Sequence, residues 1–313
     1  MKESAAKVLR EVGRFDPAPT PIRRFAANFW LNYFYWHAEH LPRVARSTKW
    51  FYLFFALTCS KTLDLATAMN ARRIFGDSIG KADCRRFKCR VVSNFFNFIY
   101  DVGLSLRLSP EQLVGRIDSI DGQEKYTAAR SCRRGAIIAS IHMGSFEAAA
   151  ASLRQIEPQI HVLFKRDNMD RFERIRTRLR RKLGINEVPL DDGWGVWVRL
   201  RDALAENHVV MLQADRVMQG QKGQRMKFLH GHLLLPTGPI RLAMATGAPI
   251  IPIVTTRTPK GRVQIHIEDA ICVGPDDPIE IAMNQVRDVI EKYVRTYPEQ
   301  WLMLEPAFCE DQA

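Results

Sequence analysis

His142 and Glu147 stand five residues apart, where an apolar run gives way to an alanine-rich one. The run 136–141 is rich in β-branched residues and predicts a buried parallel strand, and residues 146–153 predict a helix. On a single helix this spacing would turn the two side chains through about 500°, onto different faces. A strand followed by a turn and a helix can instead bring them together.

We therefore expect the Glu147 carboxylate to accept a hydrogen bond from one imidazole nitrogen of His142. That bond would fix the tautomer and leave the other nitrogen free as a general base. Gly144 allows a tight turn between the two residues, and Ser145 suits a helix N-cap. The alternative is a structural histidine at a strand end, with its ring satisfied inside the protein.

Three more charged residues follow apolar strands. Arg166 comes after the run 160–164, and Asp215 and Arg216 follow the run 208–213. In α/β proteins, groups at the carboxyl ends of parallel strands share one crevice, and a guanidinium fits phosphate oxygens. The alternatives are a surface ion pair for Arg166, and pairing of Asp215 and Arg216 with each other or with neighbours.

Two helix features could bind anions. Thr237 and Gly238 precede a helix that begins near Pro239; Thr237 is expected to cap it, and its N-terminus could hold a phosphate. The segment 171–182 has seven basic residues and one acidic residue. Its apolar positions fall at helical spacing, so we expect the basic face to project outward, as a solvated face or as an anionic docking surface.

The composition limits the class of protein. The chain has 313 residues, is 46% hydrophobic and carries a formal net charge of +12, which favours an anionic partner such as nucleic acid, an acidic protein or a lipid surface. Its six cysteines lack close pairs, which is typical of free thiols in a reducing compartment and argues against a disulfide framework or a metal site. We find neither a secretory signal nor an 18-residue apolar run.

The order of predicted elements indicates an α/β protein with a mixed, largely parallel sheet covered by helices, preceded by a helical region that associates with a membrane. We place the boundary between residues 1–105 and 106–313. Helices are predicted near 22–39, 47–58, 61–75, 80–100, 122–132, 145–156, 169–183, 194–206, 238–246 and 277–297. Strands are predicted near 114–120, 135–141, 160–164, 186–189, 208–213, 250–255 and 262–268.

The N-terminal region is rich in aromatic residues. They cluster in 25–36 and 50–58, beside arginines and lysines, a combination that suits a membrane interface. The alternative is a pair of amphipathic helices that belong to the core.

These blocks together resemble the bacterial lipid A late acyltransferases, within the lysophospholipid and glycerolipid acyltransferase superfamily. The hallmark of that family is a histidine, four residues and an acid, here His142 to Glu147. The similarity extends over roughly 85–305. Its further blocks, in family order, are 164–168 with Arg166, Asp215-Arg216, 228–231 through 237–239, 245–252 and 297–301.

The resemblance implies transfer of a fatty acyl group from a thioester to a lipid or glycolipid hydroxyl, with lipid A-type acceptors favoured. It implies that His142 is the general base, that Glu147 orients it, and that Arg166 and Arg216 hold an anionic part of a substrate. The donor would be acyl carrier protein or acyl-CoA, with no other cofactor and no metal. The expected location is the cytoplasmic face of a bacterial inner membrane, peripheral or monotopic, on an anionic surface.

Two other functions compete with this interpretation. A basic nucleic-acid-binding protein would explain the charge and the helix at 171–182, but the sequence has no recognisable nucleic-acid-binding motif, so we expect no nucleic acid as partner. An inactive, peripheral lipid-binding homologue would keep the fold without the chemistry, and the intact His142 and Glu147 argue against it.

Overall fold

A mixed seven-stranded sheet lies at the centre of the protein, as seen in a computed structural model that describes residues 33–166, 170–218 and 221–309. The strand order is β1-β9-β8-β2-β5-β3-β4, and the last five strands of that order are mutually parallel. Strand β9 runs antiparallel to β8, and β1 is parallel to β9. The bounds are β1 Ile117–Asp121, β2 Ala136–Ser140, β3 Ile160–Phe164, β4 Asn186–Pro189, β5 Val209–Gln213, β8 Ile250–Arg257 and β9 Val263–Ile267.

Helices cover the sheet, and a separate antiparallel hairpin of β6 (Gly223–Phe228) and β7 (Gly231–Pro236) precedes β8. Residues 33–40 are also helical. The helices are α1 Pro42–Ser47, α2 Lys49–Cys59, α3 Lys61–Phe75, α4 Lys81–Arg107, α5 Pro110–Val114, α6 Gln123–Arg130, α7 Phe146–Ile156, α8 Asp170–Lys182, α9 Gly195–Ala205, α10 Gly238–Thr246 and α11 Ile279–Thr296, with 3-10 turns at Leu190–Asp192 and Pro298–Gln300.

The register of β2 against β5 positions the candidate site. Ser140 is paired with Gln213, the last residue of its strand, and the Ala214 N–H continues the ladder by donating to the Ser140 carbonyl at 2.8 Å. Two residues beyond that pair on each strand stand His142 and Asp215. Parallel pairing therefore carries both side chains to the same edge of the sheet.

The apolar core joins the N-terminal helices to the sheet. Ile74 of α3 and Val91 of α4 belong to one buried cluster with Ile137 of β2 and Val210 of β5. The same cluster contains Trp301, a fully buried side chain that packs near Phe228 and Phe308. The segment after α11 is thus anchored inside the protein beside the carboxyl edge of the sheet.

The predicted fold class is confirmed: the sheet is mixed, largely parallel and covered by helices. Ser109 caps α5 and forms a reciprocal capping box with Gln112. The hairpin β6–β7 was not predicted, because no strand was expected between 213 and 250. Helix α4 extends to Arg107, seven residues past its expected end, and thus crosses the boundary we placed at residue 105. The division into two regions stays a prediction.

The aromatic helices only partly join the core. Trp50, Phe51, Phe54 and Phe55 of α2 are exposed, whereas Leu53 is buried. The alternative of ordinary core helices is therefore wrong for this face of α2. Most of the predicted helix at 22–39, with the aromatics before residue 33, lies outside the described residues. Within the described chain, no helix combines the length and apolarity needed to cross a bilayer.

Candidate active site

His142 lies at the carboxyl edge of β2 and is bonded to Asp215, which follows the neighbouring strand β5. Its Nδ1 is 2.8 Å from Asp215 Oδ1, and its backbone N–H donates to Asp215 Oδ2 at 2.9 Å. The side chain of His142 is 22% exposed, whereas that of Asp215 is fully buried. The imidazole is therefore held on one side and accessible on the other.

Asp215 is kept ionised by its hydrogen bonds. Burial alone would raise its pKa, but the charge and hydrogen bonds of His142, together with the Trp301 indole, hold the pKa of Asp215 below its usual value. The Trp301 Nε1–H donates to Oδ2 at 2.9 Å. An ionised carboxylate only accepts, so Nδ1 of a neutral His142 must carry the proton and donate it. This tautomer leaves Nε2 as the basic nitrogen, with no protein partner among the described residues.

The turn after His142 depends on Gly144. Its φ is +65°, and a Cβ there would lie 2.4 Å from the Thr255 carbonyl oxygen of β8. The Thr255 hydroxyl also donates to the Met143 carbonyl at 2.7 Å, and the Leu302 N–H donates to the His142 carbonyl at 2.8 Å. The backbone on which the imidazole is mounted is thus fixed from two sides.

The expected hydrogen bond from His142 to the Glu147 carboxylate is absent, so that prediction is wrong. This carboxylate is buried in the first turn of α7 and accepts a hydrogen bond from the Ser145 hydroxyl at 3.2 Å. Burial raises the pKa of Glu147 to about 7. The predicted capping by Ser145 is also wrong in part: the residue occupies the N-cap position, but its hydroxyl makes no capping bond. The Asp215 carboxylate holds the ring instead.

Arg166 forms a surface ion pair, which is the alternative considered for it above. Its guanidinium lies 2.9 Å from Asp192, its backbone N–H donates to Asp191, and half of its side chain is exposed. Arg166 follows β3, which is separated from β2 by β5, so it lies on the same edge of the sheet as His142 but not beside it. Asp167 and Asn168, from the same block, lie outside the described residues.

Arg216 differs from the other cations near this edge. Among the described residues, its buried Nε has no hydrogen-bond partner and its guanidinium has no carboxylate partner. The alternative, a pairing with Asp215, is absent, because Asp215 is occupied by His142 and Trp301. An unsatisfied buried N–H costs free energy, so this group is suited to an anion from outside the protein.

Thr237 and Gly238 stand at the start of α10. Thr237 is buried and occupies the N-cap, but its hydroxyl faces the Lys222 carbonyl at 3.4 Å and does not cap the helix. Gly238 is packed so closely that a Cβ would lie 2.7 Å from the ring of Trp197. The predicted side-chain cap is therefore wrong, and the tight packing against Trp197 explains the glycine.

Three cations of the basic helix α8 are bound by groups on other elements, although Arg178 is exposed. Arg180 is buried, lies over the Phe164 ring at 3.8 Å and pairs with Glu173 and Glu187. Lys182 donates to two carbonyls at the end of α4, and Arg178 pairs with Glu39 at 2.7 Å. The expected outward basic face is thus reduced, and these three cations connect α8 to the rest of the protein.

Trp301 is the site residue that sequence reasoning passed over. It belongs to the block 297–301 that carries the family resemblance, but no role followed from its type. A tryptophan that is fully buried must place its N–H on an acceptor, and here that acceptor is Asp215. The residue type was therefore a signal in the sequence, but the sequence does not show which acceptor the indole N–H contacts.

Comparison with known proteins identifies the family of the chain. The family model of the bacterial lipid A biosynthesis acyltransferases matches residues 32–309. The chain belongs to this family. It is 26% identical over 198 residues to a phosphatidylinositol mannoside acyltransferase of Mycolicibacterium smegmatis, covering 63% of the chain and 64% of the relative. It is 24% identical over 216 residues to the lipid A biosynthesis lauroyltransferase of Escherichia coli, covering 64% of each. The chain therefore spans slightly less than two thirds of these relatives.

Proposed function

We propose that the protein transfers a fatty acyl group from a thioester to a hydroxyl of a lipid or glycolipid acceptor, with lipid A-type acceptors favoured. The observation that carries the proposal is the bond between His142 Nδ1 and a buried, ionised Asp215, which leaves Nε2 as an accessible base. Family membership supports the reaction class. A phosphatidylinositol mannoside acyltransferase among the relatives supports another glycolipid acceptor as the second candidate.

In this mechanism His142 Nε2 removes the proton of the acceptor hydroxyl as its oxygen attacks the thioester carbonyl. Asp215 stabilises the imidazolium that forms. The tetrahedral intermediate then releases the thiolate, which takes up the proton from Nε2, so that the histidine is regenerated. General-base assistance of this kind contributes roughly 10²- to 10⁴-fold in rate. The acyl group passes directly between the two substrates and needs no enzyme nucleophile, metal or other cofactor.

The start of α7 is the candidate oxyanion site. The backbone N–H groups of residues 144–146 lie in the turn after His142, and the Ser145 side chain does not occupy them. Free N–H groups at a helix N-terminus favour negative charge. The half-buried rings of Phe98 and Phe146, 5.2 Å apart, offer an apolar wall beside this turn for the acyl chain.

Charge and exposed aromatics support a membrane-bound substrate. We assign the buried, unpartnered Nε of Arg216 to an anionic group of the donor or the acceptor, with Arg166 as a second, more exposed contact. The exposed rings of α2 would enter the lipid interface, which anionic lipids would attract further to a chain of this net charge. The proposed location is the cytoplasmic face of a bacterial inner membrane, with acyl carrier protein or acyl-CoA as donor.

The test measures thiol release and acyl-lipid formation by the purified protein, given acyl carrier protein or CoA thioesters and a bacterial lipid extract. The His142→Ala variant should lose at least about 100-fold in rate, with an unchanged circular dichroism spectrum. Equal turnover by the folded variant and the wild type would overturn the proposal.

An Arg166→Ala variant should mainly raise KM, and an unchanged KM would show that Arg166 has only the surface ion pair.

A further inference from the structure

A polar cavity of about 520 Å³ opens at the carboxyl end of β8. One wall comes from the N-terminal helices through Arg46 of α1, Lys49 of α2 and Asn97 of α4. The opposite wall comes from the loop between β8 and β9 and from the 3-10 turn Pro298–Gln300. None of the residues assigned above to acyl transfer lines this cavity, so its chemistry needs a separate explanation.

The cavity carries more positive than negative charge. Five basic side chains line it, and only two acidic ones, Asp101 and Glu299. Asp101 is fully buried and pairs with two of the cations, Arg116 at 2.8 Å and Arg257. The other three cations, Arg46, Lys49 and Lys260, have no carboxylate partner among the described residues.

The half-buried Lys49 shows the effect of this excess of positive charge. Its Nζ donates to Asn97 Oδ1 at 3.1 Å, a neutral partner. Burial lowers the pKa of Lys49, and the charges of Arg46 and Arg257 lower it further. A bound anion would reverse both effects, because it would replace lost hydration and offset the repulsion.

The cavity is placed between the exposed aromatics and the catalytic edge. Lys49 lines it, and the next residue, Trp50, is 78% exposed on the aromatic face of α2. On the other side Gln300 lines it, and the next residue, Trp301, bonds to Asp215. Thr258 lines the cavity, and Thr255, three residues earlier, contacts the Gly144 turn. Thr255 and Thr258 lie roughly 10 Å apart along the strand.

We propose that this cavity binds the phosphate-bearing headgroup of the lipid acceptor while its chains remain in the membrane beside α2. The assignment rests on the proposed function, because it places the acceptor within reach of His142. Three cations without carboxylate partners and the guanidinium of Arg257 fit the oxygens of a phosphate. The position beside the exposed rings of α2 favours a lipid over the phosphate of a water-soluble donor.

The test compares two double variants with the same change in charge. Arg46→Gln/Lys260→Gln removes two exposed cations of the cavity, neither of which pairs with a carboxylate in the part of the chain that the structure describes. Lys125→Gln/Arg201→Gln removes one lysine and one arginine from surface ion pairs on α6 and α9. Binding is measured to phosphatidylcholine vesicles with and without phosphatidic acid, and the melting temperature is measured with and without inorganic phosphate.

We expect the cavity variant to bind phosphatidic acid vesicles about tenfold more weakly than the control variant, with equal binding to phosphatidylcholine alone. Phosphate should raise the melting temperature of the control variant and not of the cavity variant. Equal vesicle binding by the two variants would overturn the assignment. A phosphate effect without a vesicle effect would also overturn it, because the site would then take a soluble phosphate.

Kinetics separates this proposal from the proposed function. With a phosphorylated lipid acceptor, the cavity variant should show a KM for the acceptor about tenfold higher than the control variant, with kcat and the donor KM changed less than twofold. A raised donor KM alone would assign the phosphate to the donor and overturn the proposal. If the wild type transfers no acyl group, the proposed function fails, whereas the vesicle measurement still decides whether the cavity binds phosphate.

Discussion

Asp215 binds His142 twice, through the ring Nδ1 and through the backbone N–H, with 2.8 and 2.9 Å between the bonded atoms. One carboxylate oxygen fixes the tautomer and the other fixes the main chain on which the ring is mounted. Because Asp215 follows the strand next to β2, both bonds form as soon as the strands pair in their native register. The geometry of the base is thus coupled to the sheet itself.

An Asp215→Asn substitution tests the role of that charge. The amide keeps the size of the side chain but cannot stabilise an imidazolium, and it can force the wrong tautomer by donating to Nδ1. We expect kcat to fall by roughly 10²- to 10⁴-fold with little change in KM. Steady-state kinetics on the folded variant provides the measurement.

Glu147→Gln is the matched control, because it neutralises the carboxylate that stands in the family motif. Its hydrogen bond comes from Ser145 and not from His142. We expect a loss of less than about tenfold in kcat, the range of an indirect effect through the start of α7. A larger loss for Glu147→Gln than for Asp215→Asn would mean that the motif acid, and not Asp215, assists the histidine.

The sequence predicts the elements at this site better than the contacts between them. The strands at 136–141 and 208–213 and their parallel arrangement follow from apolar patterning, so the edge that holds His142 and Asp215 could be predicted. Which acid meets the imidazole could not be predicted from spacing, since Glu147 is near in the chain and Asp215 is 73 residues away. The register of β2 against β5 decides it, and periodicity carries no information on register.

A similar limit applies to the charged residues. The residue types of 171–182 predicted an outward basic face, but buried acceptors on other elements, Glu187 and the end of α4 among them, bind several of these cations. The cavity at β8 escaped prediction for the same reason, since its cations come from α1, α2, the connection between α5 and β1, the end of β8 and the β8–β9 loop. Only the tertiary structure brings them together.

Trp301→Phe tests the second donor to Asp215. Phenylalanine keeps an aromatic ring beside Phe228 and Phe308 but leaves Oδ2 with one donor fewer. We expect the free energy of unfolding to fall by about 1–3 kcal/mol, as measured by urea denaturation. Steady-state kinetics should show a several-fold lower kcat. Trp194→Phe is the control. Because Trp194 is 87% exposed, this substitution should change neither the free energy of unfolding nor kcat. Wild-type stability and rate in Trp301→Phe would show that the indole bond contributes nothing.

Gly144→Ala tests the turn that carries the base. The left-handed conformation costs a non-glycine residue about 1–2 kcal/mol, and the new Cβ would also meet the Thr255 carbonyl at 2.4 Å. We expect a loss of more than about 2 kcal/mol in the free energy of unfolding together with a fall in kcat.

Gly247→Ala separates these two contributions. Gly247 has φ +68° and ψ +11°, in the left-handed region, and the nearest atom to an added Cβ is the end of the flexible Arg134 side chain at 3.1 Å, so mainly the conformational cost applies there. We expect a loss of about 1–2 kcal/mol with unchanged kcat. Equal losses in the two variants would show that Thr255 moves aside without cost.

The buried carboxyl of Glu147 makes stability depend on pH. Burial raises its pKa to about 7, whereas in the unfolded chain its pKa is near the ordinary 4.5. Below pH 4.5 both states hold the proton and the group has no effect on the pH dependence. Between about pH 4.5 and 7 only the folded state keeps this proton, so the free energy of unfolding falls as the pH rises through this range, by up to about 3 kcal/mol.

Glutamine cannot ionise, so the Glu147→Gln variant should lack this component. Urea denaturation at pH 5 and pH 8 should therefore show a smaller decline for Glu147→Gln than for the wild type, and equal declines would place the titrating group elsewhere.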